Sequence, residues 1–145
     1  MIDSDENGNV WIASNDEGFF KYNRQQKSLH NYLPDKELEN VTYFWFEGKT
    51  CWLSLYGDNL YQTDIDFKSP LVPFINGNEV FKDCIIYAQV QGPHNCVYVG
   101  SLKGLTEINL TTRKTRHLLD AYVRTLQFNS DMELWAGTET GVYIY

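Results

Sequence analysis

One short pattern occurs four times along this 145-residue chain, and it constrains the fold more than any other feature. Each copy is an apolar segment with an aromatic anchor, followed by a turn and a second short apolar segment. The anchors are Trp11, Trp52, Tyr98 and Trp135, so the intervals are 41, 46 and 37 residues. A period near 40 residues built from short strands is typical of the blades of a β-propeller. An aromatic content of 15% favours the same half-buried strands.

We therefore predict an all-β fold, a partial β-propeller of about three and a half four-stranded antiparallel blades in a single domain, 1–145. The first blade lacks most of its inner strand, for which Ile2 and Asp3 are a stub, and the last lacks its outer strand. Pro34–Glu39 is the one stretch with a helical pattern, and it is about one turn long. The predicted blades span about 1–36, 40–77, 83–120 and 121–145.

The residue that closes the turn between the second and third strands supports the repeat assignment. Gly18, Gly104 and Gly141 occupy this place in three copies, and glycine readily adopts the positive φ that such turns need. The second copy has Asn59 instead, and asparagine tolerates the same conformation. We also expect the four anchors to be buried between neighbouring blades, because they occupy equivalent positions.

The best-matched copies resemble the two-component regulator propeller repeat. Its usual form is an acidic residue, a D-G-N turn, W-I-G-T and then G-L-x-x-Y-D. Asp5–Ser14 (DENGNVWIAS) with Gly18–Asn23 (GFFKYN) follows this form, and so does Glu133–Thr138 (ELWAGT). The second copy departs most, since Trp52-Leu53-Ser54-Leu55 lacks the glycine after the anchor.

This resemblance implies a role in signalling. Such repeats build the periplasmic sensor region of Bacteroides hybrid two-component systems, with two propellers, a β-sandwich linker, a membrane span and kinase and response-regulator modules. The implied ligand is an oligosaccharide, and the implied partners are the remaining blades and the histidine kinase module of a longer parent chain. None of the kinase or DNA-binding modules has a counterpart in the sequence.

Charge and hydropathy exclude other partners. The net charge of −7 is a poor match for a phosphate backbone, and the small basic patch at Arg113–His117 is interpreted as a solvated outer strand. No apolar stretch reaches the ~18 residues of a membrane span, and no signal peptide opens the chain. We predict no nucleic-acid binding and no direct membrane insertion.

Motifs for catalysis, metals and cofactors are weak or absent. Asp3–Gly8 matches the first half of a calcium-binding loop, but the twelfth position is Ser14 rather than glutamate, so we predict a turn in which Asn7-Gly8 supplies the positive φ. The histidines are scattered, and the cysteines are interpreted as buried, inert thiols. We predict no catalytic residue, no metal and no cofactor. The histidines are His30, His94 and His117, and the cysteines are Cys51, Cys84 and Cys96.

Ligand binding is predicted on the loops of one face, those between second and third strands and those between blades, since a rigid scaffold leaves specificity to its loops. We favour a non-catalytic sensor. The alternatives are a protein-interaction scaffold, as in WD-repeat propellers, or a propeller lyase or glycosidase using His94 or paired carboxylates. The candidate ligand-binding residues are Asn15, Asp16, Tyr43, Tyr56, Asp58, Lys103, Arg124 and Glu139.

The repeat count also predicts association. An incomplete ring leaves apolar blade faces and strand edges open to water. We therefore expect the chain to be part of a larger propeller and to self-associate, most simply as a two-fold dimer. The end surfaces around 11–20 and 135–145 are expected to be buried in that contact.

Overall fold

The computed structural model describes residues 1–14, 17–32, 40–74 and 80–145. These residues form fifteen strands in four antiparallel sheets, and none of them is helical. In the part of the chain that is described, no helix has the length and apolarity to cross a membrane. The chain divides into two compact units, Met1–Asp83 and Cys84–Tyr145. The helical turn predicted at Pro34–Glu39 lies outside the described residues.

The first unit contains two sheets of four strands each, with the strands in chain order. The strands of the first sheet are β1 (Ile2–Ser4), β2 (Val10–Ser14), β3 (Gly18–Asn23) and β4 (Ser28–Asn31). Those of the second sheet are β5 (Val41–Glu47), β6 (Thr50–Leu55), β7 (Leu60–Asp64) and β8 (Val72–Pro73). The outer strand of this sheet, β8, is only two residues long.

The second unit contains a sheet of four strands and a sheet of three. The strands of the third sheet are β9 (Ile86–Gly92), β10 (Cys96–Ser101), β11 (Gly104–Asn109) and β12 (Thr115–Leu119). Those of the fourth sheet are β13 (Val123–Phe128), β14 (Leu134–Thr138) and β15 (Gly141–Ile144). Each predicted blade range therefore contains one sheet, while the grouping of all four into a single domain stays a prediction.

An aromatic core joins the two sheets of the first unit. Trp11 and Phe19 are fully buried and stack with ring centroids 5.1 Å apart. Trp11 also lies 5.3 Å from Phe46, and Phe19 lies edge-on to Phe44 at 4.9 Å. Burial on β2 alternates residue by residue, as expected of a strand with one face in the core.

The core of the second unit is mainly aliphatic, and it requires close backbone approach. Leu105, Val123 and Ala136 are fully buried in it. A Cβ atom on Gly100 would lie 2.6 Å from Val123 Cγ1, so the glycine after the anchor lets β10 approach β13. Tyr98 packs edge-on against Phe128 at 5.5 Å.

Turn conformations confirm three of the four predicted closing residues. Gly18, Gly104 and Gly141 have φ values of 108°, 128° and 146°. The prediction for Asn59 is wrong, because Asn59 is not in the left-handed region and Gly57, with φ 66°, takes that role. In the β6–β7 connection the residue with positive φ therefore lies two residues earlier than predicted, and the Asp58 N–H donates to Leu55 O at 3.3 Å.

The anchors differ in burial. Trp11 and Trp52 are 0% and 3% exposed, and Tyr98 is half-buried. Trp135 is 42% exposed, so the prediction that all four are core residues is wrong for this one, because its face of β14 is exposed to solvent in the part of the chain that is described. The expected open surface at 11–20 is also wrong, since Trp11 and Phe19 are covered within the first unit.

Candidate ligand-binding site

The predicted ligand-binding residues fall into three groups. Asn15 and Asp16 lie outside the described residues. Tyr43, Tyr56 and Asp58 belong to the second sheet, and Lys103, Arg124 and Glu139 belong to the second unit.

In the second sheet, the β6–β7 turn is tied to the residue before β5. The Tyr56 N–H donates to Asn40 O at 2.8 Å, while the Tyr56 side chain is 62% exposed. The Asp58 carboxylate accepts a hydrogen bond from Tyr61 Oη at 2.9 Å. Burial, with that hydrogen bond and the charge of Asp58, raises the pKa of Tyr61 to about 12. Asp58 is therefore held in its own turn by Tyr61, a residue that the sequence analysis missed.

Tyr43 lies at the same edge of the second sheet. It is paired with Ser54 on β6, and its ring centroid is 6.4 Å from that of Trp45. Tyr43 is half-buried, whereas Tyr56 is exposed. At this edge the ring of Tyr56 is therefore more accessible to a ligand than the ring of Tyr43.

In the second unit, four side chains meet at one edge, and we call Tyr87, Tyr122, Arg124 and Glu139 the arginine–tyrosine cluster. The Arg124 guanidinium carbon lies 4.4 Å from the Tyr87 ring centroid and 4.7 Å from that of Tyr122. The two hydroxyl groups are 3.0 Å apart, and Arg124 Nη2 donates to Glu139 Oε1 at 2.9 Å. The structure thus brings together two predicted residues, Arg124 and Glu139.

Two β-bulges place these side chains. In the β9–β10 ladder, Ala88 pairs with Gly100 and Ile86 pairs with Ser101, so Tyr87 is the extra residue. In the β13–β14 ladder, the pairing skips Arg124 in the same way. A bulge re-aims the side chain of its unpaired residue and is common beside functional sites. Tyr87 and Arg124 are therefore equivalent positions of two sheets.

The charges of the cluster are accessible to solvent. The side chains of Arg124 and Glu139 are 49% and 55% exposed. The hydrogen bond to Glu139 raises the pKa of Arg124, so the guanidinium stays charged. An ion pair this exposed is screened by solvent and contributes little to stability, and the tyrosine faces add a cation–π attraction. Arg124 and Glu139 can therefore replace their mutual hydrogen bond with hydrogen bonds to a ligand at little cost in free energy.

Lys103 lies at the same edge of the third sheet as Tyr87. Its backbone N–H donates to Ser101 Oγ at 3.2 Å. The preceding Leu102 N–H donates to Ile85 O at 2.9 Å, which ties the β10–β11 turn to the start of β9. Lys103 is exposed.

The segment that resembled half of a calcium loop forms a turn, as predicted. The buried Asp5 carboxylate accepts hydrogen bonds from the N–H groups of Asn7 and Asn9, at 3.0 and 2.9 Å, and from Trp11 Nε1 at 2.9 Å. Gly8 has φ 74°, whereas Asn7 does not take the positive φ predicted for it. Among the described residues, no three His, Cys, Asp or Glu side chains are grouped to hold a metal ion.

The histidines and cysteines lie apart from the cluster. His117 Nε2 is 2.8 Å from Asp120 Oδ1, His30 packs edge-on to Tyr32, and His94 lies in the β9–β10 turn, at the other end of β9 from Tyr87. The three cysteines are buried and unbridged, as predicted, and burial raises the pKa of Cys51.

Comparisons with known proteins identify structures of similar fold. No protein-family model and no curated protein matches the sequence. The extracellular domain of the hybrid two-component system BT4673 from B. thetaiotaomicron matches with a TM-score of 0.77 and 21% identity, over 99% of this chain and 19% of that one. The corresponding domain of BT3049 from the same organism matches with a TM-score of 0.75 and 19% identity, over 94% and 20%.

An enzyme of similar fold also matches. Virginiamycin B lyase from Staphylococcus aureus has a TM-score of 0.69 and 16% identity, over 99% of this chain and 54% of the lyase. The chain spans about a fifth of the length of the two extracellular domains. The similarities confirm the predicted fold class, an all-β partial propeller of about three and a half blades. Two of these similar structures are extracellular domains of two-component systems, in agreement with the resemblance of the sequence to the two-component regulator propeller repeat. This chain therefore shares its fold with the extracellular regions of Bacteroides two-component systems.

Proposed function

We propose that the chain is a non-catalytic ligand-binding segment of a signal-transducing propeller. It recognises an oligosaccharide in the periplasm and passes the signal to a histidine kinase elsewhere in the parent chain. The fold shared with the extracellular domains of BT4673 and BT3049 and the repeats themselves support this proposal.

The arginine–tyrosine cluster is the observation that carries the ligand assignment. The Arg124 guanidinium lies over two tyrosine rings and hydrogen bonds to a carboxylate, and the two phenol hydroxyls are within hydrogen-bonding distance of each other. Such a set can donate to and accept from the vicinal hydroxyls of a sugar, and the tyrosine rings offer apolar faces to its C–H groups. Because Arg124 has five N–H donors and gives one to Glu139, donors remain for a ligand.

The likeness to virginiamycin B lyase favours a lyase as the second candidate. On this chain, His94 and the arginine–tyrosine cluster lie at opposite ends of β9. A general base and a charge-stabilising arginine must both reach one substrate, so this separation supports the non-catalytic assignment. A scaffold that binds protein would use the same exposed turns and is distinguished by experiment.

The test is isothermal titration calorimetry of the chain against a panel of neutral and acidic oligosaccharides, with product analysis of each mixture. The Arg124→Met variant is expected to bind at least tenfold more weakly than the wild type. Arg116→Met is the matched control, because Arg116 also pairs with a glutamate, Glu107, at 2.7 Å but lies on β12, outside the cluster. It is expected to bind like the wild type.

Three results would contradict the proposal. Cleavage of any oligosaccharide makes the chain an enzyme. A chain that binds no oligosaccharide but does bind a protein is a scaffold. Equal affinities for Arg124→Met and Arg116→Met place the ligand elsewhere on the molecule.

A further inference from the structure

The hairpin formed by β3 and β4 is basic, although the chain as a whole is acidic. It carries Lys21, Arg24, Lys27 and His30, and no Asp or Glu occurs from 18 to 34, while the chain has 19 of them and a net charge of −7. A local excess of positive charge attracts anions even where the net charge of the protein is negative. The hairpin is therefore the part of the first unit that best suits an anionic ligand.

A cavity of about 280 Å³ lies along this hairpin. Small-molecule sites begin at about 300 Å³, so the cavity fits a ligand of monosaccharide size. Lys21 on β3 pairs with His30 on β4. The next pair on the same face is Asn23 with Ser28. Paired residues have Cβ atoms about 5 Å apart, so these four side chains form one compact patch. The residues that line the cavity are Lys21, Asn23, Gln26, Ser28, His30 and Tyr32.

Lys21 places a poorly compensated positive charge in the cavity. Its side chain is 21% exposed, and its Nζ lies 4.8 Å from the Trp11 ring centroid. The ion pair with Asp5 Oδ2 is long, at 3.9 Å, because the Asp5 oxygens already accept hydrogen bonds from other backbone and side-chain donors. The ammonium makes no hydrogen bond within the described part of the chain, so its three N–H donors remain for water or a ligand.

The other polar groups of the cavity are donors as well. Asn23 Oδ1 accepts from the backbone N–H groups of Gln25 and Gln26, both at 3.0 Å, which leaves its amino group as a donor. The side chains of Ser28 and His30 make no hydrogen bond to any described residue, and each has at least one O–H or N–H. Among the described residues that line the cavity, none is a carboxylate. A cation surrounded by donors suits a ligand whose oxygens are negatively charged.

We propose that this cavity binds the oxyanion group of a small ligand, a carboxylate, sulfate or phosphate. Its oxygens accept charge-assisted hydrogen bonds from the Lys21 ammonium and further hydrogen bonds from the other donors of the cavity. Binding supplies Lys21 with the close counter-charge that Asp5, at 3.9 Å, does not provide. The site belongs to the first unit, whereas the arginine–tyrosine cluster belongs to the second, so the two are different sites.

An NMR titration of the isotope-labelled chain tests the proposal, at constant ionic strength and up to about 20 mM ligand. The probes are glucuronate, glucose as its neutral counterpart without the carboxylate, and inorganic phosphate. Glucuronate is expected to shift the backbone amide signals of β3 and β4 saturably, with a dissociation constant on the order of millimolar, whereas glucose leaves them unchanged. Comparison with phosphate distinguishes a free oxyanion from one that an organic ligand carries.

Three variants identify the residues responsible. Lys21→Met is expected to weaken glucuronate binding at least tenfold. Lys114→Met is the matched control, because it removes the same charge from an exposed lysine of the second unit, and it is expected to bind like the wild type. Since Lys21 also contacts the buried Trp11, His30→Ala provides a second test at an exposed residue, with binding at least threefold weaker. Unchanged amide signals of β5 and β6 show that each variant is folded.

The proposal is overturned if neither glucuronate nor phosphate shifts the β3 and β4 signals, or if glucose shifts them as much as glucuronate does. Equal affinities of Lys21→Met and Lys114→Met for glucuronate also overturn it, as does His30→Ala binding like the wild type. The inference is independent of the proposed function. It is measured on the amides of the first sheet, whereas the oligosaccharide site is tested by Arg124→Met, so failure of one is distinguishable from failure of the other.

Discussion

Replacing Asp5 with alanine should destabilise the chain more than any other exchange of a single carboxylate in the described residues. The Asp5 side chain is 1% exposed. Its two oxygens accept hydrogen bonds from the backbone of Asn7 and Asn9, from the Asn9 side chain and from the buried Trp11 Nε1. Asp5→Ala leaves these donors without an acceptor under the turn between β1 and β2.

The magnitude follows from the number of buried donors. A buried group that loses its partner costs about 1–3 kcal/mol. Trp11 Nε1 is fully buried and Asn9 N–H is partly so, and we therefore expect a loss of roughly 3 kcal/mol in the free energy of unfolding. For a chain of this size each kcal/mol lowers the Tm by about 2–4 °C, so the Tm should fall by roughly 10 °C.

Urea denaturation followed by tryptophan fluorescence measures this loss. Asp66→Ala is the matched control, because the Asp66–Lys68 ion pair has side chains 61% and 80% exposed, and it should change stability by less than about 0.5 kcal/mol. An Asp5→Ala loss below about 1 kcal/mol, or one no larger than that of Asp66→Ala, refutes the reasoning.

The same carboxylate should show in the pH dependence of stability. Burial raises the pKa of Asp5, but the hydrogen bonds from Trp11, Asn9 and Asn7 outweigh it and leave the pKa lowered. A group whose pKa is lowered on folding stabilises the fold above its unfolded pKa, near 3.9, and loses this contribution as the pH falls through its folded value. The stability difference between wild type and Asp5→Asn is therefore expected to shrink below about pH 4.

Three further predictions concern other parts of the chain. Gly100→Ala should cost about 1–3 kcal/mol in urea unfolding, because its Cβ would meet both side chain and backbone of Val123. Gly137→Ala should cost less, because its Cβ approaches only the end of a threonine side chain; equal losses would contradict this. Hydrogen bonds from Ser69 and Lys68 lower the pKa of Asp64 to about 2, so Asp64→Asn should lower the Tm above pH 4 and lose that effect toward pH 2. The three cysteines, Cys51, Cys84 and Cys96, are buried, so a thiol reagent should label none of them in the native chain and all of them after unfolding. Rapid labelling of the native chain would contradict their burial.

The strand order could be predicted because its information is local. Each sheet is built of consecutive antiparallel strands joined by short turns, so the alternation of apolar residues and the turn residues between them specify it. The fourth sheet is an example: its strands, from Val123–Phe128 to Gly141–Ile144, all lie within the predicted blade range 121–145. The prediction of a positive φ at Asn59 was wrong because a turn can place its positive φ at any of several residues.

The candidate site could be predicted only in part. Arg124 and Glu139 were named because both lie at loop ends on the predicted face, and they do meet. Tyr87 and Tyr122 were not among the candidates, because the contact between β9 and the start of β13 joins residues far apart in the sequence. A signal was present: with the inner strands aligned, Thr42, Tyr87 and Arg124 occupy the same second position, the residue that each ladder skips.

The sequence by itself determined the all-β class, the number of sheets and the succession of strands, because these depend on periodicity and turns within about 40 residues. Only the tertiary structure decided which equivalent residues are core and which are surface. Trp11 and Trp135 are the anchors of two repeats, yet one is fully buried and the other 42% exposed. Burial depends on what packs against a strand face, and that neighbour is remote in the sequence, so equivalent positions of two repeats can place a tryptophan in a core or in water.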